Sequence, residues 1–149
     1  MPRFSIDAQD TNTLSTTSIA LDGTTTTRGF VYDLIAGSDA TPADNAAEFN
    51  LQRFATANGT GTAITPFPLD MADAAAEIDG TENHSTEPTY TANAVLLHWA
   101  QNQRATFRWV AAPGGELVIP ATSDSGIGLI CQTVAGSAVN FNFTVHFYE

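Results

Sequence analysis

The sequence predicts an all-β protein: an antiparallel β-sandwich or jelly roll of about 8–10 short strands, with at most one short surface helix. Three observations carry that prediction. The C-terminal residues alternate strictly, with Val139, Phe141, Phe143, Val145 and Phe147 against Asn140, Asn142, Thr144, His146 and Tyr148, the period-two signature of a strand with one buried face. The remaining apolar runs are of strand length and rich in β-branched and aromatic residues. Turn chemistry separates them, as at Asn58-Gly59, Pro113-Gly114-Gly115 and Ser123–Gly126.

The elements follow in order. Residues 1–12 read as an N-terminal arm, and residues 13–21 as a first edge strand. The Thr-rich run at 21–28 reads as a loop, and residues 29–36 (Phe30, Val31, Tyr32, Leu34, Ile35) as a strand. Residues 48–56 and 62–67 read as two strands of a hairpin, because Asn58-Gly59 suits a turn whose central positions take positive φ. The Ala-rich stretch 70–78 is the one helical candidate, one or two turns long. Residues 80–91 read as a loop. Residues 90–101 read as a long strand with Val95, Leu97 and Trp99 on one face. Residues 103–110 read as another, with Ala105, Phe107 and Trp109 opposite Arg104, Thr106 and Arg108. Residues 116–119 and 127–133 supply two more before the C-terminal strand.

A chain of 149 residues fits a single domain, 1–149. Charged residues are only 14%, against about 25% in ordinary globular chains, so the surface must be polar but largely uncharged. The charge present is lopsided: 16 acids against 5 bases, net −11. All the bases are arginines, Arg3, Arg28, Arg53, Arg104 and Arg108. Such a surface repels phosphate, which argues against nucleic acid as a partner, and no polybasic segment offers itself to a membrane. The start, from Met1 to Asp7, has no apolar core of a secretory signal, so synthesis and folding in a cytosol are expected.

No catalytic, cofactor-binding or metal-binding set emerges, and the chain is expected not to be an enzyme. Cys131, in an apolar strand, reads as a buried structural thiol. His84, His98 and His146 lack metal-site spacing, although His98 and His146 could meet across a sheet. Residues 70–87 hold six acids (Asp70, Asp73, Glu77, Asp79, Glu82, Glu87) and no base, without the spacing of an EF-hand; a solvated acidic loop is expected, with calcium binding as the alternative. The triplets at Asn58, Asn83 and Asn142 read as accidents of a Thr-rich composition. Gly59-x-Gly61 and Gly126-x-Gly128 lack the context of a phosphate cradle. Arg104 and Arg108, two pleats apart on one predicted face, are interface candidates, because a guanidinium forks onto a carboxylate within the chain or on a neighbour.

The stretch 102–122, from Asn102-Gln103-Arg104 through Pro113-Gly114-Gly115-Glu116 to Ala121-Thr122, followed by Gly126-Ile127-Gly128-Leu129, resembles small β-rich structural proteins of tailed bacteriophages. Residues 48–54 and 82–90 are similar to the same group, and the likeness runs from about Asp44 to the C-terminus. The resemblance implies a virion component, a capsid decoration (cement) protein on the capsid exterior. Its implied partners are the major capsid protein and itself, as a homotrimer. The arm, with Arg3 as its anchor, would then reach onto a neighbour. The alternative is a carbohydrate- or receptor-binding β-sandwich of a phage tail or fibre, with Trp99, Trp109 and Tyr148 as candidate exposed aromatics.

Overall fold

The computed structural model describes residues 1–11, 15–39, 41–134, 136 and 139–149. Among them are twelve strands and no helix: β1 (Arg3–Thr11), β2 (Thr17–Asp22), β3 (Gly29–Ser38), β4 (Ala46–Phe54), β5 (Thr60–Ile64), β6 (Phe67–Pro68), β7 (Asp79–Thr86), β8 (Tyr90–Asn102), β9 (Phe107–Val110), β10 (Leu117–Ile119), β11 (Gly126–Val134) and β12 (Asn140–Tyr148). They form two antiparallel sheets. Sheet A runs β10–β3–β12–β1–β6, with β9 also on β3; sheet B runs β5–β7–β2–β11–β4–β8.

Setting β5, β6 and β7 aside, the chain alternates between the sheets except from β4 to β8, which are neighbours in sheet B, and this is the strand order of a jelly roll. β1, β12, β3 and the interrupted strand β9–β10 make one four-membered layer; β2, β11, β4 and β8 make the other. The segment between β4 and β8 is an insertion that widens both sheets: β7 and β5 extend sheet B beyond β2, and β6 adds two residues beyond β1.

The alternating residues of β12 fill the core, with Phe141, Phe143 and Phe147 fully buried and Val145 nearly so, and Val139 just before the strand is buried too. Phe49 of β4 meets Phe141 and Phe143 edge-on from the opposite sheet, at 5.0 and 5.4 Å between centroids. Such edge-to-face pairs add to the area term of aromatic burial. Cys131 is buried in this core, and desolvation pushes its thiol up to about 12, as expected of a structural residue.

Several expectations are corrected. Twelve strands replace eight to ten. Residues 3–11 are no arm: β1 pairs with β12 along its whole length and buries Phe4, Ile6 and Ala8. β2 lies inside sheet B between β7 and β11 rather than at an edge; residues 13 and 14 of that expected strand lie outside the described residues. Residues 70–78 form turns, because Glu149 rather than a helical turn satisfies the N–H groups of Glu77 (2.7 Å) and Ile78 (3.1 Å). The expected loop at 80–91 is mostly strand. β4 and β5 are not a hairpin: β4 is flanked by β11 and β8, while β5 pairs with β7. Asn58 instead donates its amide to Asp22 at 2.7 Å, and Gly59 takes the left-handed φ of 77°.

Candidate functional site

The expected strand at 103–110 shortens to β9, because Asn102–Ala105 turns the chain from sheet B into sheet A. Arg104 and Arg108 therefore do not share a strand face. Arg104 sits in the turn, exposed, with its Nε 3.4 Å from the Pro42 carbonyl. Arg108 lies on β9 and forks onto Asp33 of β3, Nε to Oδ1 at 3.0 Å and Nη2 to Oδ2 at 2.8 Å. His146 Nδ1 of β12 lies 3.3 Å from Asp33 Oδ2.

A β-bulge brings these groups together. His146 pairs with Asp33 and Phe147 with Val31, so Tyr32 is the extra residue. Val31 and Leu34 stay in the core while Tyr32 and Asp33 both turn to the outer face of sheet A. Asp33 is only 3% exposed there. The Arg108 hydrogen bonds hold its carboxyl below the usual range against the opposing effect of burial, with His146 a smaller contribution. This hub fastens β9, β3 and β12, and the carboxylate that Arg108 forks onto lies within the chain.

Beside the hub runs an aromatic ladder. Phe30 stacks on Tyr148 (5.0 Å between centroids), Tyr148 on Tyr32 (6.1 Å) and Tyr32 on His146 (6.0 Å). Tyr32 and Tyr148 form the floor of an open groove of about 340 Å³. Arg3 of β1 bounds it, and so does the 111–116 bend between β9 and β10, including Glu116. Arg3 thus lies on the groove and not on an arm. Of the three candidate aromatics of the carbohydrate-binding alternative, Tyr148 reaches this groove, while Trp99 is buried and Trp109 packs against the core, as the strand phase of the two tryptophans favours.

The acids of the insertion are differently arranged. A cleft of about 360 Å³ lies between Asp22, Asn58, residues 63–66 and the stretch from Ala76 to Thr81. One oxygen of Asp22 takes the Asn58 amide while Oδ1 is buried without a partner. Burial, and then the charges of Asp124 and Asp79, raise its carboxyl above the usual range. Among the described residues no three His, Cys, Asp or Glu side chains converge as a metal site. His98 and His146 lie on different sheets and do not meet; His98 pairs with Glu48 across β8 and β4.

The edges complete the surface. Sheet A ends in β6, of two residues, and in the interrupted β9–β10, of four and three. Sheet B ends in β5, of five residues, and in β8, of thirteen. A bulge near Leu96 sets Val95 opposite Gln52, so Val95 turns outward, 41% exposed, instead of joining Leu97 and Trp99. From Leu97 to Asn102 the pairing with β4 is regular, and among the described residues no other strand pairs with β8. No family model, curated protein or solved structure matches the chain.

Proposed function

We propose that the chain is a non-enzymatic structural protein of a tailed-phage virion, a capsid decoration protein that binds the major capsid protein on the outer shell and associates with itself. The observation that carries this reading is a jelly roll with an acidic, sparsely charged exterior that leaves one long strand edge unpaired. A sheet edge of that kind is a template for another chain, so it fits a part built to assemble. An acidic exterior carries no penalty on the outside of a shell, away from packaged DNA. The test is addition of the purified protein to particles of the encoding phage that have been stripped of it. Saturable rebinding with a raised temperature of shell disruption is expected; no rebinding contradicts the proposal.

The groove over Tyr32 and Tyr148 favours a second reading, a carbohydrate-binding module. Phenolic rings offer a surface to the C–H face of a sugar, and Arg3 and Glu116 offer a donor and an acceptor to its hydroxyls. A glycan array separates the readings: binding lost in Tyr148→Ala supports the module, and an array without binding removes it.

A further inference from the structure

We infer that the Leu97–Asn102 stretch of β8 is a self-association edge, pairing antiparallel with the same stretch of a second copy about a twofold axis. The inference rests on the self-association in the proposal above and replaces the threefold stoichiometry implied by the resemblance with a twofold one.

Strand edges are normally blunted by shortness, by charge, by proline or by a bulge. Three of the four edges here are short, between two and five residues for each strand. β8 is the longest strand of the molecule, YTANAVLLHWAQN, with no proline and no Asp, Glu, Lys or Arg. Its irregularities, the left-handed Asn93 and the bulge near Leu96, fall in the first half. The second half is a regular six-residue strand, a common length for a paired strand.

Charge selects the occupant. Two copies of a chain of net −11 repel one another, least where acids are missing. β8 contains none of the 16 acids. The outward side chains of the regular half are His98, Ala100 and Asn102. His98 contacts Glu48, and Asn102 donates to Asp44, so the carboxylates beside the edge are engaged within the chain. Residues directly opposite in a sheet share a face, so Ala100 meets either Ala100 or His98 of the second copy. Either register brings a small side chain to the middle of the contact and no like-charge pair. An isologous contact of this sort closes at two copies.

The test is sedimentation velocity of the full chain over a dilution series, with three variants. The wild type is expected at twice 15.7 kDa. Ala100→Lys puts a cation at the middle of the contact, and Asn102→Lys one at its end. Each is expected to raise the dimer Kd at least tenfold while keeping the wild-type circular dichroism; the second serves if the first does not fold. Thr62→Lys, on the opposite edge β5, is expected to stay dimeric. A wild type at three times 15.7 kDa overturns the twofold pairing and leaves self-association standing. A monomer at every concentration overturns both. A dimer unmoved by the β8 lysines refutes this edge alone.

Discussion

β8 and β9 are joined by one turn and stacked through Trp99 and Phe107 (4.5 Å, 9° between planes), yet these neighbouring edges end in opposite ways. β9 has four residues, and one of them is an arginine forked onto a buried carboxylate. β8 has thirteen and no formal charge. The difference teaches how a chain with five bases uses them. Where Arg108 goes, a short strand is fastened within the molecule. Where no arginine or acid goes, backbone groups stay available to another chain.

Breaking the charged edge should have the largest effect on the folded chain. Asp33→Ala leaves Arg108 and His146 facing each other without the carboxylate that separates them. Hydrogen bonds to charged groups are worth roughly 1.5–3 kcal/mol. A loss of about 2 kcal/mol is expected, or roughly 4–8 °C in Tm. Calorimetry of the variant checks it; a Tm within a degree of the wild type would mean that the hub does not hold β9.

A smaller effect sharpens the contrast between acids with and without an arginine. Asp33 has its folded-state pKa lowered, so its contribution is present above the ordinary carboxylate pKa and is lost as pH falls below it. Asp22 and Asp10 have theirs raised, chiefly by burial, so they oppose folding at neutral pH and the penalty lifts as pH falls through their folded values. Stability should therefore rise as pH falls from neutrality through the raised folded values of Asp22 and Asp10, and fall again below the ordinary carboxylate pKa of about 4. Asp22→Asn should flatten the rising limb and Asp33→Ala the falling one. Urea melts across this range check both limbs, and a curve that falls steadily from pH 7 contradicts the assignment.

Much of the sandwich was legible because its strands bury one face: β12 and β3 announce themselves by alternation or by apolar runs. β1 carries the same signal, Phe4, Ile6 and Ala8, but its partner β12 is at the far end of the chain. The Ala-rich 70–78 stretch favours a helix by propensity alone, and without a long apolar face the N–H groups of Glu77 and Ile78 went to Glu149 and those of Ala72 and Asp73 to Asp70. The hub was hidden for a related reason. Asp33 stands 75 residues from Arg108 and 113 from His146. The local sign was an aspartate inside the apolar run Phe30–Ile35, a charge that had to find a base once buried. Tyr32 passes for a core residue until the bulge turns it outward. The β8 edge combines a legible fact, thirteen residues without charge, with a position that only the topology supplies.

The most direct measurement is amide hydrogen exchange along residues 97–102 at high and low protein concentration. The account predicts that the amides not bonded to β4 are protected when concentrated and exchange freely on dilution, while those of β5 keep one rate. Fast exchange of the free β8 amides at every concentration would contradict it.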